Sequence, residues 1–161
     1  MDSARFRSVM RHQAGAVSVI AVGREGDRTG LTATAVCSLS DTPPMLLVCV
    51  NRNASAHAPI LSERAFSVNV LDAGQDAIAS TFSGRTDLAG EARFVDDGWG
   101  TLQTGAPILT SALAGIDCRL GGHYETETHS IFIGHVVDAM TRDDGDPLVY
   151  FRSDYWTLAD R

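Results

Sequence analysis

The chain has 161 residues, of which 44% are hydrophobic and 20% charged, as in an ordinary single globular domain that builds its own core. Its net charge of −7 argues against nucleic acid or an anionic membrane surface as a partner, since both require a basic footprint, but it leaves room for a small anion held by local donors. No apolar run approaches the ~20 residues of a membrane span, and residues 1–7, MDSARFR, lack the apolar core of a signal peptide, so a cytoplasmic protein is expected.

The first predicted element is a helix over 4–12, with Phe6, Val9 and Met10 at i, i+3, i+4 forming one apolar face before Gly15 ends it. Residues 16–22, AVSVIAV, read as a strand. The polar run 24–28 reads as a hairpin loop, and 29–40 as a second strand that Asp41-Thr42-Pro43-Pro44 breaks. Residues 45–50, MLLVCV, are apolar at every position and predict a central strand buried on both faces. A helix follows over 54–63, capped by Asn53 or Ser55. The next strand, 66–71, alternates Phe66, Val68 and Val70 with Ser67 and Asn69.

A helix over 74–82 ends at Gly84. Residues 86–107 predict an irregular excursion pinned by Phe94 and Trp99. A strand within 112–122 alternates Ile116, Cys118 and Leu120 with Asp117 and Arg119. Further strands cover 130–140 and 147–152, separated by a turn at 142–146, with Tyr155 and Trp156 just beyond. Six or seven strands with two or three short helices favour a mainly β, closed or split antiparallel barrel over a βαβ sheet. No GxGxxG follows a strand. The three cysteines, Cys37, Cys49 and Cys118, lie apart in apolar stretches without a CxxC, which predicts buried free thiols.

Residues 30–52, GLTATAVCSLSDTPPMLLVCVNR, resemble the flavin-binding stretch of the short-chain flavin reductases: a glycine, Thr32-Ala33, Ser38, Ser40, an Asp41-x-Pro43-Pro44 turn and an apolar strand. The likeness continues through 66–71, Gln75, Phe82-Ser83-Gly84-Arg85, Arg93-Phe94, Trp99, 105–107, 117–119, 129–134 and 152–155, so it covers nearly the whole chain in order. The resemblance implies one domain over 1–161 with a Greek-key-like antiparallel split β-barrel, the FMN-binding split barrel, assembled as a homodimer. It also implies an NAD(P)H-dependent flavin reductase that passes a hydride from NADH or NADPH to FMN or FAD and supplies reduced flavin to a partner flavin-dependent monooxygenase. Two other roles are compatible with it: a flavin-binding module without reductase activity, and a reductase of a larger acceptor, such as a corrinoid, through bound flavin.

Such chemistry needs stacked rings and charge stabilisation at the flavin edge rather than a nucleophile, and no GxSxG, HExxH or triad is present. The resemblance places flavin contacts at Thr32, Ala33, Thr34, Ala35, Val36 and Ser38, where small side chains either pack or let backbone groups approach the ligand. Cys49, Val50, Asn51, Ser55 and Ala56 lead from a strand into a helix, where they suit a phosphate or ordinary capping. Phe82, Ser83, Gly84 and Arg85 offer a permissive glycine and a cation, or a glycine C-cap beside a solvated arginine.

His129 matches the family histidine that positions the nicotinamide; the family triplet Gly-Asp-His is Glu127-Thr128-His129 here, which adds a negative charge. Trp99, Tyr155 and Trp156 read as packing or dimer contacts, with a flavin neighbour as the alternative. His123, His129 and His135 share strand parity, but six-residue steps place them ~20 Å apart along an extended strand, so no metal is expected.

Overall fold

β-branched runs set strands such as Ser18–Val22, and a polar side chain caps the first helix. A computed structural model describes residues 1–95 and 98–158, so Asp96 and Asp97 of the predicted excursion, and residues 159–161 of the predicted domain, lie outside the described residues. Helix α1 (Ser3–Met10) starts at Asp2, whose carboxylate accepts from the Arg5 N–H at 2.8 Å. Its predicted apolar face is not packed: Phe6, Val9 and Met10 are all exposed.

There follow β1 (Gly15–Ala16), β2 (Ser18–Val22), β3 (Thr29–Ala33), β4 (Val36–Asp41) and β5 (Pro44–Asn51). Next come α2 (His57–Glu63), β6 (Ala65–Val70), α3 (Asp76–Phe82) and a 3-10 turn over Gly90–Arg93. The chain continues through β7 (Trp99–Thr101), β8 (Pro107–Leu109), β9 (Ala114–Glu125), β10 (His129–Thr141), β11 (Val149–Phe151) and β12 (Asp154–Trp156).

Seven strands form one antiparallel sheet in the order β3-β2-β6-β9-β10-β5-β4. The predicted strand 29–40 is two strands, one at each edge of this sheet, joined by Thr34 and Ala35 alone. Three peptide units span at most roughly 11 Å, so the sheet must curl until its edges approach at that point. Among the described residues no ladder joins β3 to β4, so the ring is not closed by hydrogen bonds. Two short sheets, β1-β11-β12 and β7-β8, complete the structure. The last of these strands, β12, takes up Tyr155 and Trp156, which the sequence reading left beyond the final strand. Among the described residues no helix is long and apolar enough to cross a membrane.

All of β2 is buried, because the strand has a core on each side. Ile20 and Val22 join Val48, Val50, Ile60, Phe66 and Phe132 on one side; Val19 and Ala21 join Leu71, Ala79, Phe82, Phe94 and Leu109 on the other. That second core also covers the polar face of β6. Asn69 bridges there, donating to Val19 O at 3.2 Å and accepting from the Leu109 N–H at 2.8 Å, while the Ser67 hydroxyl donates to Pro107 O. These bonds offset the cost of burying two polar side chains.

Strand β5 departs from expectation. It lies one place from the sheet edge, and although Leu46, Val48 and Val50 are buried, Met45, Leu47 and Cys49 are only half-buried. Of the cysteines Cys118 is buried, with desolvation pushing its thiol up to about 12, but Cys37 is exposed on the edge strand β4.

Candidate functional site

The break between β3 and β4 organises the site. The β2–β3 ladder ends at Ala33 and the β4–β5 ladder begins at Val36, so among the described residues the N–H groups of Thr34 and Ala35 have no ladder partner. Ala35 O accepts from the Cys49 N–H at 3.0 Å, which ties the break to the end of β5.

Helix α3 reaches this region because residue 30 is glycine. A Cβ at Gly30 would stand 2.7 Å from Ile20 O and 3.0 Å from the Phe82 ring. The close approach lets Phe82 lie on β3, and Thr32 Oγ1 donates to Ala79 O at 2.6 Å. Gly84, at φ +76°, then turns the chain after α3. The result is a cavity of about 170 Å³ that joins Thr32, Ala33 and Thr34 to Ser83 and Arg85, closed by Val17, Tyr150 and Tyr155. The Arg85 guanidinium lies 5.6 Å from the centre of the Tyr155 ring.

A larger cleft of about 630 Å³ shares Thr34 and Tyr150 with this cavity and runs beneath α1, taking in Ala35, Arg7, Arg11 and Arg152. Among the described residues no Asp or Glu lines either space. In a chain of net charge −7, Arg7, Arg11, Arg85 and Arg152 make the described walls of these two spaces locally positive.

The remaining predicted residues lie outside these two cavities. Val36 and Ser38 pair with Val48 and Leu46 along the edge. The side chains of Val50, Ala56 and Phe82 are buried in the cores, so these residues can offer a ligand no more than backbone. Helix α2 begins later than predicted: Ala56 is its cap, without a side-chain bond. Asn51 Oδ1 instead accepts from the Asn53 N–H at 2.9 Å, and the Ser55 hydroxyl lies 2.8 Å from that of Thr29.

His129 is exposed at the start of β10, directly opposite Asn51. Its Nδ1 is 2.8 Å from the Thr128 hydroxyl, and Nε2 has no partner among the described residues. Among the described residues His123, His129 and His135 are not gathered into a metal-holding group.

Sequence reasoning missed Tyr150 and the α1 arginines as cavity walls; the available signal was the excess of arginine at the start of an acidic chain, Arg5, Arg7 and Arg11 against Asp2 alone. It also missed His57, a buried residue whose Nε2 lies 2.8 Å from the Ser130 hydroxyl. Burial, and then the nearby Arg52, hold this imidazole below its ordinary value of 6.5. The neutral ring is therefore the folded form, and its contribution to stability is present above about pH 6.5 and lost as the pH falls through the folded value. Thermal melts from pH 7.5 to 5 (approximate limits) should show a decline that His57→Gln flattens.

The flavin reductase like domain model matches residues 10–159. An FMN reductase (NADH) RutF of Klebsiella pneumoniae is 42% identical over 158 residues, covering 98% of this chain and 94% of that protein. BorF, the flavin reductase component of a bacterial two-component tryptophan halogenase, superposes with a TM-score of 0.91 at 35% identity, covering 99% of this chain and 100% of that one. The NADH:FAD oxidoreductase SgcE6 of Streptomyces globisporus, solved with NAD and FAD fragments, superposes with a TM-score of 0.89 at 28% identity, covering 98% and 93%.

Proposed function

The chain belongs to the flavin reductase like domain family, and from that premise we infer that it is an NAD(P)H:flavin oxidoreductase, taking a hydride from NADH or NADPH to FMN or FAD and supplying reduced flavin to a partner monooxygenase. The observation that carries this reading is the pair of joined cavities at the β3–β4 break. Their volumes together fall within the roughly 300–1,000 Å³ of small-molecule sites. Their walls combine small side chains, backbone donors free of the ladder, and cations, with no carboxylate among the described lining residues. Those features fit a flat heteroaromatic ring with a phosphate tail.

When bound, the flavin supplies the hydride acceptor and the nicotinamide the donor. The protein's part is to hold them. Thr32, Ala33, Thr34 and Ala35 present backbone groups to the flavin edge. Ser83, Gly84 and Arg85 close one side of the pocket, and Arg85 offsets phosphate charge. Val36, Ser38, Cys49, Asn51 and Ser55 border the flavin from β4, β5 and the following loop. His129, with Nε2 open, positions the nicotinamide. The groove beneath α1, with Arg7, Arg11 and Arg152, suits the phosphates of the dinucleotide. No side chain is required to carry a proton in the hydride step.

The curled sheet with consecutive edge strands supports the split-barrel description. Its outer face exposes Leu39 and leaves Leu47, Ile131 and Ile133 half-buried; such a patch supports a homodimer through this face. The reading is tested by NADH oxidation with added FMN or FAD. Turnover that depends on flavin is expected; absence of turnover with both nucleotides and both flavins would refute it.

A further inference from the structure

The loop 51–56 and the strand that carries His129 meet at one buried polar contact. His57, the first residue of α2, is buried, and Ser130 is fully buried; His57 Nε2 and Ser130 Oγ are 2.8 Å apart. The His57 ring also packs on Phe132, with centroids 5.2 Å apart. Ser130 directly follows His129 and pairs with Val50 on one side and Glu125 on the other.

The other end of the same loop is fastened at the surface. Asn51 sits opposite His129, and the Arg52 N–H donates to Thr128 O at 2.9 Å. The Arg52 guanidinium lies 3.6 Å from Glu125, but both side chains are about half exposed, so water screens that pair and it orients little. The turn that carries His129 is otherwise closed by Thr126, whose N–H and hydroxyl each donate to His129 O at 2.8 Å, and by the exposed Arg52 guanidinium donating to Thr126 O at 3.4 Å. A buried hydrogen bond has no water to replace it and holds its geometry firmly. A neutral imidazole suits this place, since one ring nitrogen donates and the other accepts, and the Ser130 hydroxyl serves either role.

We propose that His57 is a positioning residue which, through Ser130, fixes His129 relative to the flavin-bordering loop 51–56, so that nicotinamide and flavin meet in register for hydride transfer. This rests on the site assignment made under Proposed function. His57 touches neither reactant. The pair locks the two halves of the site together from beneath, so its loss loosens the nicotinamide side more than it empties the flavin pocket.

The test uses the full chain loaded with FMN and compares Ser130→Ala, His57→Leu and their double variant. Each single change should lower the rate of anaerobic flavin reduction by NADH, or raise KM for NADH, about tenfold, the scale on which small misplacements act. FMN affinity should stay within about twofold of wild type, and the double variant should be no worse than the poorer single one, as for two halves of one contact. His57→Gln, which keeps a polar group near Ser130, should restore most of the rate. Wild-type reduction kinetics in Ser130→Ala would overturn the proposal, as would equal losses in FMN and NADH affinity. Ser130→Ala removes one oxygen, so it decides the matter even where His57→Leu does not fold. A wild-type protein that fails to oxidise NADH with flavin would instead refute the site assignment.

Discussion

Gly30→Val should weaken FMN binding about tenfold or more, equivalent to about 1.4 kcal/mol, and lower the melting temperature by several degrees. The new Cβ would stand 2.7 Å from Ile20 O, a backbone atom of the neighbouring strand that cannot swing away, and 3.0 Å from the Phe82 ring. Overpacking of this kind costs about 1–3 kcal/mol, at about 2–4 °C per kcal/mol for a chain of this size.

The functional loss has a separate route. Phe82 is the last residue of α3 and packs against Phe94 and Trp99, at 5.0 and 5.5 Å between centroids. Pushing the ring off β3 carries Ser83, Gly84 and Arg85 away from Thr32, Ala33 and Thr34. Gly74→Ala is the control, since a Cβ there meets nothing within 4 Å. Flavin titration and thermal melts of both variants check the prediction; a folded Gly30→Val with undiminished FMN affinity would show that α3 does not set the pocket.

His129→Ala should raise KM for NADH roughly three- to tenfold, the value of one hydrogen bond of about 0.5–1.5 kcal/mol, with a much smaller effect on flavin affinity. The side chain stands exposed at the start of β10, with Nδ1 2.8 Å from the Thr128 hydroxyl and Nε2 without a partner among the described residues. It lies outside the cavity between Thr32–Thr34 and Ser83 and Arg85 that takes the flavin in this reading, hence the asymmetry. Glu127, also exposed and two residues away, adds negative charge beside an anionic dinucleotide, so His129 works against local repulsion. Stopped-flow reduction together with flavin titration separates the two affinities, and equal losses in both would contradict the assignment.

Much of this arrangement was legible in the chain. The period of two in 66–71, the Pro43-Pro44 break and Gly84 after a helical run each reflect local chemistry, and each element formed where that chemistry placed it. Other features depend on tertiary partners. The run 29–40 is uniformly strand-like, and nothing in it marks Thr34-Ala35 as the point where the chain leaves one sheet edge for the other. The alternation sets Ser67 and Asn69 apart from Phe66, Val68 and Val70, but nothing local shows that a second core covers them, because their partners, Pro107 and Leu109, lie about forty residues away.

The apolar face of α1 satisfied the helical period yet found no core. Within the site, Thr32, Ala33 and Thr34 meet Ser83 and Arg85 across one cavity. Neither Asn53 nor Ser55 caps α2 as expected: Ala56 holds the cap position without a side-chain bond, and the Ser55 hydroxyl pairs with that of Thr29. His57 carried no sequence signal, since a single histidine at a helix start is common and its meaning comes from Ser130, far along the chain.

The most direct test of the account is anaerobic addition of NADH to the FMN-loaded protein, followed by the flavin's visible absorbance. Prompt bleaching, slowed in His129→Ala while the flavin stays bound, is the predicted result; a flavin that remains oxidised in the wild-type protein with both NADH and NADPH would contradict it.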